Sequence, residues 1–571
     1  LFGRLRHKIL PPLQDENDFL FVVSRVFNKK SDYEWVEAIS RSTWIVFFET
    51  LGLSFSGKEK GLQSQMIESL KILSFQVAQL GLEGEVTRYI PQKIKRNNPF
   101  VQQNYLVHAL EELLLKNEAI GPVQHQSAIT KAKLDDCISA IEHIRHQQSE
   151  KGASLNQTYI LLILSNRIER LQLLTDALDT DKHFDTGRFV DYFRILIRNE
   201  NRKNSIFEFL SQGAGYLAYQ IAEHKGSKGD TYITTTRWEY NKMILSAMGG
   251  GFIISFIAIF KNLLGKLQVA PFWHGFLYSV NYSIGFIAIE QSKSTLATKQ
   301  PAFTASAVAS SLDAKKTSGK PNLLNLAITV AKVSRSQVAS FFGNLIIVFP
   351  GTFLLAWGYD ALYGAKIAEG EAAMQLLRDQ HPWESLSLLY ACNTGFFLFL
   401  SGIIAGYVQN KIQYGRIGDR LKMHPALQHS ISEKRRNRLS RFIERNAGAI
   451  AGNIALGFFL GMAGFLGKIF GVPFDIRHIT IAAGNTGIGI YGLGIENIEP
   501  YFLLTVFMGV LAIGLINFLV SFSFAFFVAV KSRGIHLKEY PEFLGILWKY
   551  FRHHPREFIL PRKKTIQEEA V

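Results

Sequence analysis

The sequence predicts an all-α protein with a cytoplasmic helical bundle followed by a polytopic transmembrane bundle. Three observations predict this class. Long apolar runs occur only in the second half, Lys and Arg alternate between the segments that connect them, and apolar residues in the first half recur at helical spacing. We therefore expect a cytoplasmic helical domain at 1–235, a transmembrane domain at 236–535 and a basic cytoplasmic tail at 536–571.

Apolar segments of the second half are close to the length that a membrane-spanning helix needs. About 20 apolar residues cross about 30 Å of hydrocarbon as a helix. The segments are Met243–Phe260, Val269–Ile289, Val338–Trp357, Leu386–Val408, Ala447–Phe465 and Tyr501–Val530. The sequence therefore predicts about six spans.

Connecting segments that are poor and rich in Lys and Arg alternate along the chain. The three poor segments carry only Lys261 and Lys266, Lys366 and Arg378, and Lys468 and Arg477. Cytoplasmic loops carry an excess of Lys and Arg, so the rich segments face the cytoplasm. With six spans, both termini then lie in the cytoplasm.

The positive charge and the two cysteines limit the partners and cofactors that we expect. The formal net charge is +16, and much of it lies in loops beside the bilayer, where it would attract anionic lipids. The charge therefore gives no reason to expect a nucleic-acid partner. Cys137 and Cys392 are far apart in sequence and predict neither a disulfide framework nor a metal site.

The first 235 residues predict a bundle of amphipathic helices. Apolar residues recur every three or four positions through five segments, which are Met66–Leu80, Tyr105–Leu115, Leu134–Ile144, Gln157–Leu178 and Phe189–Ile197. Two further apolar segments, Phe19–Phe27 and Thr43–Phe55, are too short to span a membrane and are expected in the core. The mixed charges on exposed faces favour solvated surface, with docking of a protein partner as the alternative.

Short words in the transmembrane part indicate an internal hairpin repeat. A proline precedes an asparagine by ten to twelve residues at Pro271 and Asn281, at Pro382 and Asn393, and at Pro473 and Asn485. The words Gly343-Asn344-Leu345 and Gly452-Asn453-Ile454 also resemble each other. Transporters often contain such repeats, with sites near the midplane of the membrane.

Two further segments predict interrupted membrane structure. Ile479–Ile495 is rich in glycine and short for a span, and a crossing there would place the basic tail outside. The loop charges therefore favour a re-entrant or externally packed segment. Residues 294–312 predict a similar segment on the inner side, or an amphipathic helix at the membrane surface.

Polar side chains at membrane depth supply the candidate site. An amide or imidazole in hydrocarbon needs a hydrogen-bonding partner, so these residues face the bundle interior or a wet cavity. The candidates for substrate binding are His274, Asn281, Asn393, His478 and Asn485. Hydrogen bonds between helices are the favoured alternative for the asparagines.

Ionisable residues and enzyme motifs are scarce in the predicted spans. Carboxylates at depth are nearly absent, which argues against a proton-coupled pump. The sequence contains no GxxxxGK[ST] phosphate loop, no HExxH and no paired CxxC. We therefore expect no catalytic residue, metal or cofactor.

Several words resemble one bacterial membrane protein family. They are Gly152-Ala153-Ser154-Leu155, His224-Lys225-Gly226, Asp230-Thr231-Tyr232-Ile233-Thr234, Phe272-Trp273-His274-Gly275, Leu296-Ala297-Thr298-Lys299-Gln300-Pro301-Ala302 and Gly484-Asn485-Thr486-Gly487. The chain resembles the bacterial proteins called site-specific recombinases of the gonococcal Gcr type. The resemblance covers about 15–564 and implies exchange of DNA strands and, from the spans, a place in the bacterial inner membrane.

The residues do not match either recombinase chemistry that the name implies. Tyrosine recombinases need an HxxR followed by a nucleophilic tyrosine, and no tyrosine follows His553-His554-Pro555-Arg556 in this sequence. Serine recombinases need a serine in an α/β domain, but the surroundings of Ser24 predict helix. The sequence therefore favours transport or a membrane-scaffold role, with DNA recombination as the alternative.

Overall fold

The computed structural model describes residues 19–29, 31–51, 60–90, 97–116, 120–151, 154–178, 186–202, 234–297, 323–531 and 540–561. Every regular element within these ranges is helical, which confirms the predicted all-α class. The chain divides into two compact units, Leu1–Leu217 and Ala218–Val571. The predicted boundary at 235 lies just after a segment outside the described residues, and the described part of the tail belongs to the second unit.

The first unit consists of helices within its described ranges. In chain order they are α1 (Phe19–Val26), α2 (Asp32–Ala38), α3 (Arg41–Thr50), α4 (Lys60–Gly81), α5 (Gly84–Thr87), α6 (Pro99–Leu115), α7 (Ile120–Lys151), α8 (Leu155–Leu178) and α9 (Thr186–Arg202). The five segments with helical spacing lie within α4, α6, α7, α8 and α9, which confirms that prediction.

Side chains at helix starts and in the core explain why this unit folds. The Ser40 side chain accepts a hydrogen bond from the Thr43 backbone N–H and so caps α3. Trp44 and Phe48 of α3 are buried and pack edge-to-face against Phe193 of α9, with ring centroids 5.2 Å apart in both pairs. Each short apolar segment thus supplies core residues, as predicted, while Val26, Val46 and Leu51 are exposed.

The second unit contains the long apolar helices. In order they are α10 (Arg237–Leu264), α11 (Pro271–Gln291), α12 (Leu323–Tyr363), α13 (Gly370–Arg378), α14 (Ser387–Tyr414), α15 (Ile417–Met423), α16 (Pro425–Ser430), α17 (Glu433–Phe470), α18 (Ile479–Leu493), α19 (Pro500–Lys531) and α20 (Tyr540–His553). Thr236 begins α10 with a reciprocal capping box to Glu239.

Five described helices are long and apolar enough to cross a membrane, namely α10, α12, α14, α17 and α19. Each contains one of the six predicted spans. The remaining predicted span, Val269–Ile289, supplies most of α11, which has 21 residues and is not among these five. α11 packs along α17 through small residues, with Gly275 facing Phe465 and Gly457 facing Ser283.

The glycine-rich segment forms α18, a 15-residue helix that is buried along most of its length. At about 1.5 Å per residue, α18 is only about 22 Å long and is too short for a span. It packs against α10 and α12, with Gly484 against Ala258 and Gly487 against Thr352. Most of the other segment predicted to be interrupted, 298–312, lies outside the described residues.

The contacts fix the relative directions of the spanning helices. α10 and α12 run parallel, because Gly343 meets Ala247 and Gly351 meets Ser255. α12 and α19 run antiparallel, since Phe349 meets Phe507 edge-to-face at 4.9 Å while the start of α12 and the end of α19 share one buried cluster. α19 is parallel to α14, so α10 and α14 run in opposite directions.

Candidate functional site

A buried asparagine of α19 holds the backbone where the chain breaks before α18. The Asn517 amide nitrogen donates to the carbonyl oxygens of Ala391 in α14, at 2.9 Å, and of Arg477, at 3.0 Å. Its carbonyl oxygen accepts from the Ile479 backbone N–H at 3.2 Å. One fully buried side chain thus bonds two backbone groups of the break and joins them to a carbonyl of α14, which hydrocarbon could not do.

A buried asparagine of α12 makes the same three bonds where the chain breaks after α11. The Asn344 amide nitrogen donates to the carbonyl oxygens of Ala247 in α10 and of Thr295, the latter at 3.0 Å. Its carbonyl oxygen accepts from the Ala297 backbone N–H at 2.9 Å. We call these two arrangements the Asn344 clamp and the Asn517 clamp.

The two clamps also match in the backbone around them. The Thr295 N–H donates to the Ser246 carbonyl at 3.0 Å, and the Arg477 N–H donates to the Tyr390 carbonyl at 3.3 Å. Ser246 directly precedes Ala247, and Tyr390 directly precedes Ala391. The breaks therefore pair with α10 and α14 in the same register.

Glycines four residues after the clamped alanines show the same match. A Cβ at Gly251 would lie 2.7 Å from the backbone carbonyl oxygen of Asn344 and 3.1 Å from the Ile347 Cβ. A Cβ at Gly395 would lie 3.1 Å from the backbone carbonyl oxygen of Asn517 and 2.7 Å from the Val520 Cβ. Both asparagine helices approach their partner closely because these positions carry no side chain.

The remaining helices, α11 and α17, pair with each other between the clamps. Gly275-Phe276 and Gly457-Phe458 are separated by the same number of residues as the equivalent Thr295 and Arg477. Phe276 and Phe458 contact each other, with centroids 6.0 Å apart. A contact between equivalent positions is what a two-fold axis between the two helices produces.

The second unit is therefore an inverted repeat. α10, α11, the break at 295–297 and α12 form one half, and α14, α17, the break at 477–479 and α19 form the other. This repeat differs from the predicted hairpin repeat, because the residue equivalent to Asn344 is Asn517 and not Asn453. The proline–asparagine words begin unlike elements, since Pro271 starts α11 while Pro382 and Pro473 lie in connecting segments.

Three of the five predicted site residues bind neighbouring helices or segments. The Asn281 amide donates to the Ile257 carbonyl of α10 at 3.0 Å. The Asn393 amide donates to the Asp475 carbonyl at 3.1 Å, and Asn485 accepts from the Asn262 amide at 3.1 Å. These bonds fit the alternative that the asparagines join neighbouring helices by hydrogen bonds. Each side-chain amide has further donor or acceptor positions with which it could also bind a ligand.

The two predicted histidines lie in different surroundings. His478 is fully buried at the Asn517 clamp, where its Nδ1 lies 2.9 Å from the Thr480 hydroxyl and caps α18. His274 lies half-buried in the first turn of α11, beside the Tyr278 ring. Of the two histidines, only His478 adjoins a break.

A charged cluster that the sequence analysis did not select adjoins the second break. The Arg477 guanidinium pairs with Asp475 at 2.7 Å and with Asp379 at 3.2 Å, and lies over the Tyr390 ring. Lys261 of α10 lies over the Tyr278 ring and interacts electrostatically with the same three charges. The paired ions hold the break in place on one side of the bundle.

The two clamps and their surroundings present hydrogen-bonded backbone segments and polar side chains. Within the described ranges, no group of three or more His, Cys, Asp or Glu side chains could hold a metal ion. The sequence does contain a signal for the clamps, since Ala247 and Gly251-Phe252 are spaced like Ala391 and Gly395-Phe396. That signal is too short to recognise before the contacts are known.

Comparison with known proteins gives one match. A family model described as "Site-specific recombinase" matches residues 1–561. No curated protein matches the chain, and no solved structure matches it. The fold and the clamps are therefore interpreted from the chain's own contacts.

Proposed function

The chain belongs to the site-specific recombinase family, and we propose that it moves a solute or lipid across a membrane. The reason is that its second unit is an inverted repeat with two interrupted segments. The observation that carries this proposal is the match between the Asn344 and Asn517 clamps. Inverted repeats with broken helices near the midplane are the architecture of many secondary transporters.

The location of the breaks supports a pathway between the halves. Both breaks lie at the junction between a spanning pair of parallel helices and the α11–α17 pair. Exposed backbone there would be costly in lipid, so irregular segments at this depth are kept only where protein or a polar path covers them. Asn281, Asn393 and Asn485 would line that path, with His274 and His478 at its sides.

We propose a bacterial inner membrane location with both termini in the cytoplasm. The alternation of basic loops supports this orientation. Anionic lipids would bind the basic side, where α20 exposes Trp548 and Phe551 beside Lys549 and Arg552. The first unit would lie in the cytoplasm and could carry a protein partner.

Chemical labelling at Asn281 tests whether a polar path exists. In a Cys392→Ser background, Asn281→Cys should react with a membrane-impermeant maleimide from at least one side of the membrane. Cys137 is a poor competitor, because burial raises the pKa of its thiol. Rates should be measured in intact cells and in inside-out vesicles.

Ile284→Cys is the matched control, because Ile284 lies one turn away on α11 and is 63% exposed where lipid would cover it. A thiol in hydrocarbon is not ionised and should react on the order of tenfold more slowly than one in water. Equal, slow reaction at Asn281 and Ile284 from both sides would refute the pathway and favour a membrane scaffold.

DNA recombination, as the family description states, is the second candidate function. One local observation favours it: Tyr550 lies beside the HxxR sequence, with its ring 5.0 Å from the His554 ring. Its hydroxyl hydrogen-bonds the Glu557 carboxylate. If Tyr550 is a nucleophile, purified protein should form a covalent adduct with DNA that Tyr550→Phe abolishes and Tyr540→Phe retains. An absence of adducts with the intact protein counts against this candidate.

A further inference from the structure

The two halves of the repeat agree at the clamps but differ in how α11 and α17 contact them. In the first half, α10 meets the middle of α11, where the Asn281 amide donates to the Ile257 carbonyl and Gly285 contacts the Ile257 side chain. Ile257 lies as far after Ala247 in α10 as Ser401 lies after Ala391 in α14, so these two residues are equivalent. In the same way, Asn281 lies as far after Phe276 in α11 as Ala463 lies after Phe458 in α17.

In the second half, α14 meets a different part of α17. A Cβ at Gly452 would lie 2.9 Å from the Ser401 carbonyl oxygen and 2.7 Å from the Ala405 Cβ. The Gln409 amide donates to the Glu444 carbonyl, about two turns further toward the start of α17. Ser401 thus contacts Gly452, although the first half predicts that it contacts Ala463, about 16 Å further along the helix.

The surface of α17 offers small residues at both positions. Gly448 and Gly452 receive α14, while Gly457 and Gly461 receive α11. Ala463 and Gly467 continue with small residues toward the end of the helix. Small residues allow α14 to approach α17 closely at both positions, and a change of register would separate the Phe397 and Phe459 rings that stack between them.

We propose that the protein has a second conformation in which the two halves exchange these contacts. In it, α14 packs on α17 through Ser401 and Ala463, as α10 now packs on α11 through Ile257 and Asn281. The α11–α17 pair moves along its own axis relative to both clamps, which keep their bonds. This inference rests on the proposed transport function, for which such an exchange would open the path alternately to each side.

The connecting segments would have to change length during this movement. On one side, 471–478 joins α17 to α18 through Gly471, whose φ of +62° ends α17 in the left-handed region. On the other side, Ser292–Ser294 joins α11 to the Asn344 clamp, and unwinding the last turn of α11 would lengthen this segment. The linker after α17 would become more compact as the linker after α11 extends.

Double-cysteine cross-linking tests the second conformation. In full-length protein carrying Cys137→Ser and Cys392→Ser, a short bifunctional maleimide should join cysteines at Phe397 and Phe459, whose rings stack at 5.1 Å. It should also join cysteines at Ser401 and Ala463, several-fold more than at Ser401 and Ile469. Ile469 is on α17 but 58% exposed. The Phe397–Phe459 pair also verifies that the variants fold.

Trapping the present contact provides a second readout. Cross-linking Ile257→Cys to Asn281→Cys should suppress cross-linking between Ser401 and Ala463 in the same molecule. Strong cross-linking at Phe397–Phe459 with only background at Ser401–Ala463 would overturn the exchange. If Asn281→Cys still reacts with the impermeant maleimide in that case, the proposed path survives and only the exchange fails.

Discussion

Replacing either clamp asparagine by leucine should destabilise the protein more than any other single amide replacement in the second unit. Asn344→Leu and Asn517→Leu each leave one carbonyl and one N–H of a buried break without this partner, while the Ala247 and Ala391 carbonyls keep their bonds within the helices. Each unpaired buried group costs about 1–3 kcal/mol. We therefore expect unfolding free energies lower by on the order of 2 kcal/mol or more, measured by SDS titration of the purified protein.

The two variants should lose similar amounts, because the clamps make the same bonds. Asn446→Leu is the matched control: its amide makes an exposed hydrogen bond to the Phe442 carbonyl within α17, so its loss should be small. A clamp variant as stable as the control would show that the breaks are held by packing alone. Unequal losses at Asn344 and Asn517 would contradict the equivalence of the two halves.

Alanine at Gly251 or Gly395 should separate each asparagine helix from its partner. The added Cβ would lie 2.7 Å from the backbone carbonyl oxygen of Asn344 in Gly251→Ala and 2.7 Å from the Val520 Cβ in Gly395→Ala. Neither neighbour is the flexible end of a side chain, so the helices themselves must move apart. Overpacking of this kind costs about 1–3 kcal/mol, and we expect a lower midpoint of thermal unfolding in detergent.

Gly358→Ala in α12 is the matched control, because a Cβ there meets nothing within 4 Å. Alanine is preferred over glycine in a helix by up to about 1 kcal/mol, so this variant should be as stable as the parent or more stable. The sign of the change therefore separates close helix approach from helix propensity. A stabilising effect at Gly251 and Gly395 as well would mean that these helices do not meet as closely as the structure shows.

The helices of both units follow from the sequence because apolar spacing and length are local properties. The segments with helical spacing in the first 235 residues lie inside observed helices, and five of the predicted spans lie in helices able to cross a membrane. Glycine content and length also separated Ile479–Ile495 from the spans, and α18 is indeed too short to be one. Family membership followed from short words such as Gly484-Asn485-Thr486-Gly487, which the family model bears out.

The relation between the halves was decided only by the tertiary structure. The proline–asparagine words suggested a hairpin repeat, because words of that size recur by chance in chains rich in glycine and alanine. Asn344 and Asn517 are equivalent through their bonds to Thr295, Ala297, Arg477 and Ile479, and few neighbouring residue types are shared. Backbone groups carry no sequence signature, so a clamp made of them is visible only once the chain has folded.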